Sequence, residues 1–148
     1  MSEFRELEAW LAGMLTRMDT PARRVLARAV AVELRRRQAA RIAEQRNPDG
    51  SLYAPRKPQL RHRKGHIRRA MFARLRMAQY MKAEADANTA VVTFAGNAQR
   101  IATVHHFGLR DRVNKNGLNA QYPARGLLGL DKDDVERVTD IVLQHLST

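Results

Sequence analysis

Hydrophobic residues recur at three- and four-residue spacing through the first eighteen positions: Phe4, Leu7, Leu11, Met14, Leu15 and Met18, with Trp10 beside the stripe. That period matches the turn of an α-helix and predicts an amphipathic helix over 2–18, with Ser2 as its N-cap. Thr20-Pro21 signals a second start: a capping hydroxyl, then the residue whose fixed φ suits the first helical position. The second helix is expected from Pro21 to Gln45. Its apolar side is read as Ala22, Val25, Leu26, Ala29 and Val32 or Leu34. Its far face and distal half are arginine: Arg23, Arg24, Arg28, Arg35, Arg36, Arg37 and Arg41. The short joint predicts that the two helices fold into an antiparallel hairpin.

The helical period stops at Asn47-Pro48-Asp49-Gly50. Proline presets the turn and glycine permits positive φ there. Residues 51–66 hold Pro55 and Pro58 among basic residues and predict an extended basic loop. Ile67, Met71 and Leu75 predict a short helix from His66 to Leu75. Thr89 to Ala95 is β-branched and aromatic, so it reads as a strand. Its backbone groups require a partner; the segment 76–83 could continue the preceding helix or alternate as a strand, and as the nearest partner it favours a β-hairpin of 76–83 with 89–95. Ala98 to Phe107 predicts a short helix closed by Gly108. Residues 109–121, with three asparagines and Gly117, read as an exposed loop, and Tyr122 to Arg125 as a short extended piece. The last helix opens at Asp131 as N-cap, with Asp133, Asp134 and Glu136 placed where the helix dipole favours anions. Val135, Val138, Ile141, Val142 and His145/Leu146 form its stripe. The expected fold class is α+β: an N-terminal helical hairpin (1–46), then an α+β part (47–148) with a small antiparallel sheet and a C-terminal helix, all in one domain.

Composition changes this picture in two ways. The 148 residues are 44% hydrophobic, enough for a core, and carry no cysteine, which excludes disulfides, zinc ribbons and thiol chemistry. The formal net charge is +12. From Arg17 to Arg76 there are 18 Lys/Arg against four acids, whereas 131–148 holds five acids and two bases. A basic half and an acidic end make head-to-tail association conceivable. Neither a membrane span nor a secretion signal is expected.

The candidate chemistry is thin. His62 and His66 have the spacing of a helical metal pair, but a glycine lies between them and cations surround them. His105 and His106 are adjacent, so their side chains diverge by about 100° on a helix. A triad needs a nucleophile and an orienting carboxylate, and neither is evident near them. They read as packing or hydrogen-bonding residues, His105 the inward, hydrogen-bonding one and His106 the more replaceable. No catalytic residue, metal or cofactor is expected. The sharper alternative is nucleic acid: Arg35, Arg36, Arg37 and Arg41, with Arg61, Arg63 and Lys64 in the loop, suit a phosphate backbone without reading sequence. A solvated basic face, or one meeting an acidic protein, is the competing reading.

Five stretches in order carry a resemblance: N-P-D-G-S-L-Y-A-P-R-K (47–57), K-G-H-I-R-R-A-M-F (64–72), V-V-T-F-A-G (91–96), I-A-T-V-H-H-F-G-L-R-D (101–111) and Y-P-A-R-G-L-L-G-L-D (122–131). From about Arg41 to Leu146, and loosely over the N-terminal helices, the chain resembles the phage virion morphogenesis, or tail completion, proteins of P2-like and Mu-like contractile-tailed phages. His106 stands where glutamine is expected, a change that keeps hydrogen-bonding capacity. A more distant likeness is to neck and head–tail connector proteins of lambdoid phages, in which a long helix packs on a small antiparallel sheet and copies form rings.

The resemblance implies a structural, non-enzymatic protein that acts when the tail is finished and joined to the DNA-filled head. It implies a homo-oligomer, sixfold to match a tail, with tail tube or other neck proteins as partners and DNA passing through the ring. It also implies a place in the host cytoplasm during assembly and in the virion tail or neck afterwards. The motif residues it singles out are Asn47, Pro48, Asp49, Gly50, Met71, Phe72, His105, Phe107, Gly108, Tyr122, Pro123, Arg125, Leu128 and Gly129. Among these, Gly108 is expected to need a left-handed or closely approached backbone, Pro123 to stiffen the return from the loop, and Arg125 to pair with a carboxylate such as Asp111.

Overall fold

The computed structural model of the chain describes residues 2–56, 70–112 and 119–147. The elements run α1 (Ser2–Leu15), α2 (Thr20–Ala43), β1 (Met81–Ala85), β2 (Ala90–Phe94), α3 (Asn97–Phe107), β3 (Arg110–Arg112), β4 (Asn119–Gln121) and α4 (Lys132–Leu146). The fold is α+β, with N-terminal helices, a small antiparallel hairpin and a C-terminal helix.

Asp19, rather than Thr20, caps α2. Its backbone is extended and its carboxylate accepts from the Ala22 N–H. An aspartate satisfies that orphan donor and also places negative charge at the positive end of the helix dipole. α2 runs 24 residues to Ala43, and just past its Glu44 cap comes a residue that sequence gives no reason to expect in a left-handed backbone: Gln45, φ 59°. The Gln45 N–H donates to Ile42 O and the Arg46 N–H to Arg41 O, a glycine-type helix ending built on a glutamine. The side chain accounts for the choice. Its Nε2 donates to Met71 O at 2.8 Å and its Oε1 accepts from Met71 N at 3.0 Å, so the amide clamps a distant backbone from both sides.

α2 carries two cores. Near its start, Leu26 packs with Ile141 and Val142 of α4, joined by Leu15, Met18 and Val138. Near its end, Ile42 packs with Tyr53, Leu75, Met81, Phe94, Ala98, Ala102 and Leu127. Val25 and Val32, expected inside, are 60% and 47% exposed. The arginines of this helix are not all solvated: Arg28 donates to Ala83 O and Arg35 to Met81 O, so these two side chains reach β1.

The β-hairpin forms, with Met81 opposite Phe94 and Ala85 opposite Ala90. Its first strand starts five residues later than expected. Residues 71–80 form successive turns instead of a helix and a strand, and Phe72 sits at φ 65°, which no helix accommodates. The part of the expected helix at 66–69 lies outside the described residues, as do 57–66 of the expected basic loop. Residues 109–121 are not all loop. β3 pairs with β4, Arg110 opposite Gln121 and Arg112 opposite Asn119. The alternation was hidden because these short strands are polar on both faces.

Candidate assembly site

The turn at 47–50 and the stretch at 122–131, two of the motif segments, are built against each other. The Gly50 N–H closes the turn on Asn47 O, and Gly50 itself has φ 90°. Asp49 Oδ1 accepts from the Ser51 N–H and hydroxyl, and the hydroxyl bond lowers the Asp49 carboxyl below its ordinary range. Asn47 Oδ1 then accepts from the Gly126 N–H at 2.6 Å, and Tyr53 Oη donates to Gly126 O at 3.0 Å. Burial pushes the Tyr53 phenol up to about 12, so it stays a donor. Pro48 fits between two glycines. A Cβ on Gly126 would lie 2.6 Å from Pro48 Cδ, and one on Gly129 would lie 2.5 Å from Pro48 Cγ. Both glycines are required by close approach, not by positive φ.

Beside this joint, α2 is tied to the start of α4 by ions. Arg41 is buried and Asp134 fully so. Arg41 donates to Asp134 and to Asp131 Oδ2, its other nitrogen to Gln38 Oε1 and Gly129 O. Arg37 Nε reaches Asp134 Oδ1 at 2.5 Å. Asp131 and Asp134 also cap each other's backbone in a capping box. Burial alone would push the Asp134 carboxyl upward. The hydrogen bonds from Arg37, the Asp131 N–H and Arg41 outweigh it and leave the group below the ordinary range. The same contact holds Arg37 above its ordinary value.

A second cluster is aromatic. Tyr53 and Phe72 meet edge to face at 5.6 Å, Phe72 and His105 at 5.0 Å, and His105 and Tyr122 at 4.6 Å. Phe72, His105 and Tyr122 line a cleft of about 360 Å³ that Met71, Pro123 and Arg125 also border. His105 faces inward as expected, but its Nδ1 is buried with no hydrogen-bond partner among the described residues. Burial, then the charge of Arg125, push its pKa down, with Asp111 opposing. The hydrogen-bonding histidine is His106, whose Nδ1 accepts from the Leu127 N–H at 3.1 Å. His105 keeps the inward place expected of it, and the side-chain hydrogen bond belongs to His106.

Arg125 does not pair with Asp111. It is buried and donates to the carbonyls of Ala54 and Pro55, while its N–H donates to His105 O. Desolvation lowers its pKa, and Arg56 adds to the effect. Asp111 takes Arg100 instead. Gly108 meets both conditions expected of it: φ is 67°, and a Cβ would lie 2.7 Å from the Ala124 nitrogen. Leu128 packs on the larger core, whereas Phe107 is exposed.

Among the basic candidates, Arg37 and Arg41 are committed to carboxylates, Arg35 to the carbonyls of Met81 and Arg76, and Arg36 to Glu33 through two bonds. Arg61, Arg63 and Lys64 lie outside the described residues. Sequence reasoning passed over Gln38, Gln45, Tyr53, Gly126 and the second role of Asp134. Only Asp134 had a signal, the aspartate three residues after the cap at Asp131.

Of the motif residues, Asn47, Pro48, Asp49, Gly50 and Gly129 meet at the joint between the end of α2, the 47–56 segment and the 122–134 segment, whereas Met71, Phe72, His105 and Tyr122 belong to the aromatic cluster. A family model described as the phage virion morphogenesis family matches residues 2–147. The chain is 38% identical over 148 residues to tail completion protein S of Escherichia phage P2, with 99% of each chain covered. No solved structure matches the chain. With the family model spanning nearly the whole length, the chain belongs to the phage virion morphogenesis family.

Proposed function

We propose that this protein is a structural, non-enzymatic component that completes a phage tail and prepares it for joining to a head, and that it acts as an oligomeric ring. The observation that carries the reading is the full-length similarity to a protein named for tail completion. The joint supports it, because its motif residues are engaged in holding segments together and not in arranging a nucleophile and base. The partners in this reading are further copies of the chain and the tail tube or other neck components. A DNA-binding accessory role is the weaker reading, because Arg37 and Arg41 are already neutralised inside the fold.

The test is complementation of a contractile-tailed phage that lacks its own tail completion gene. Supplying this chain restores tails that carry heads, counted by electron microscopy. Solution mass rises with concentration to a closed oligomer. A strict monomer that neither binds tail tubes nor restores tails overturns the reading. DNA affinity that drops by roughly three to five decades between 50 and 200 mM salt, as for six to ten phosphate contacts, would favour the accessory role instead.

A further inference from the structure

The two β-hairpins differ in how their outer edges are covered. In the first, the Ala95 N–H donates to Tyr80 O and the Asp86 N–H to Thr89 O. With Lys82 opposite Thr93 and Glu84 opposite Val91, antiparallel alternation directs those residues' backbone groups inward. The groups of Met81 and Ala83 on β1, and of Ala90, Val92 and Phe94 on β2, therefore point outward. On the β1 side, Met81 O and Ala83 O accept from Arg35 and Arg28 at 2.7 and 3.0 Å. On the β2 side, no partner for the Val92 backbone exists among the described residues. Next to that open edge runs a groove of about 360 Å³, bordered by Thr93, Phe94, Thr103, Phe107 and Leu128. A row of backbone donors and acceptors beside an apolar groove suits an extended chain that adds as a strand.

The second hairpin, β3–β4, supplies a match. The Tyr122 N–H donates to Leu109 O, so the backbone groups of Arg110 and Gln121 point outward. Among the described residues, β3 and β4 contact chiefly each other, with the Arg100–Asp111 pair tying them to α3. A lone two-stranded hairpin is marginal in water and gains stability from a further strand. Charge is complementary as well. The stretch 84–94 carries Glu84 and Asp86 and no base, while β3 carries Arg110 and Arg112, and its Asp111 already pairs with Arg100.

We infer that the open edge of β2 receives β3 from a second copy of this chain, so that two two-stranded hairpins join into one four-stranded intermolecular sheet. Antiparallel pairing with Val92 opposite Arg110 places Thr93 opposite Leu109. It also brings Arg112 to Ala90, next to the acidic turn at Asp86. The two edges are different patches of the molecule, so the contact is head-to-tail and closes into a ring if the rotation permits. The inference rests on the oligomeric reading above and names its contact.

The chain contains no cysteine, so introduced pairs are read without background. Thr93→Cys mixed with Leu109→Cys is expected to give a disulfide-linked dimer under mild oxidation, with neither variant cross-linking alone. Val92→Pro removes an outward N–H that the hairpin itself does not use. It is expected to keep the far-ultraviolet circular dichroism of the parent while its solution mass falls to the monomer. If the parent assembles but the cysteine pair stays unlinked, the β2–β3 contact is overturned and the ring reading stands. The same holds if a folded Val92→Pro variant assembles as the parent does. A parent chain that stays monomeric at every concentration overturns both.

Discussion

The ionic joint at the end of α2 and the aromatic shelf around His105 both draw on the 122–134 segment, yet they are built on opposite terms. In the joint, each buried charge has a partner. The Asp134 carboxylate accepts from Arg37, Arg41 and the Asp131 N–H, and Gln38 fills the remaining valence of Arg41 and Gly129. In the shelf, a buried imidazole nitrogen has no partner among the described residues, Phe72 holds a left-handed backbone, and a cleft stays open beside them. A satisfied buried network fixes geometry, because breaking any member strands the others. An unsatisfied one retains the cost of its orphan atom and is easier to rearrange. The joint sets where the segments sit; the shelf has room to change.

The largest effect should come from removing the centre of the joint. Asp134→Ala leaves Arg37 and Arg41 without their shared carboxylate, and breaking a buried pair in this way costs about 3–5 kcal/mol. Denaturant unfolding measures it. The contrast with pH follows from the same group. Its folded-state pKa lies below the ordinary 3.8. The contribution is therefore complete above that value and is lost as pH falls through the folded one. The parent should lose stability in that acid window, and Asp134→Ala should lose less, having less to lose.

A middle-sized effect separates the two reasons for glycine. Gly129→Ala sets a methyl against Pro48, whose ring cannot swing away as a flexible side-chain end could. The overpacking should cost about 1–3 kcal/mol and loosen the 47–50 turn. Gly50→Ala meets nothing within 4 Å and carries only the left-handed backbone penalty of φ 90°, about 1–2 kcal/mol. Thermal unfolding compares them. Gly108→Ala combines both penalties and should exceed either. If all three variants unfold at one temperature, close approach is not what the glycines provide.

These differences also mark where sequence was readable. Local chemistry was plain: the Asn47–Gly50 turn, the α3 ending at Gly108 and the Asp131 cap each depend on residues a few positions apart. The β2 strand was legible from its β-branched run, and its partner from the need to pair. What stayed hidden depends on distant segments. Nothing near Gln45 foretells a left-handed helix ending, because its reward is Met71 backbone 26 residues away. Nothing in the arginine row tells a solvated face from one that clamps β1 carbonyls. Gly126 and Gly129 looked like punctuation until Pro48 was placed between them. The hydrogen bond fell to His106 and not to His105 because a helix period says which residue turns inward but not whether a donor or acceptor awaits it there.

The smallest effect tests the shelf. Protonating His105 puts charge into a half-buried site already facing Arg125, and its folded-state pKa lies below the ordinary 6.5. At pH 7.5 and above the ring is neutral in both folded and unfolded chains, so this part of the stability is intact. As pH falls below 6.5 the unfolded chain takes up the proton first, and the fold loses stability until the folded value is passed. His105→Phe keeps an aromatic ring between Phe72 and Tyr122 and removes the orphan nitrogen. It should change stability at pH 7.5 by less than about 1.5 kcal/mol. Unfolding curves from pH 7.5 to 5 should then be flatter for the variant than for the parent. Equal slopes would place the pH sensitivity elsewhere, and the shelf would be as settled as the joint, its cleft a packing gap instead of a place where the fold can move.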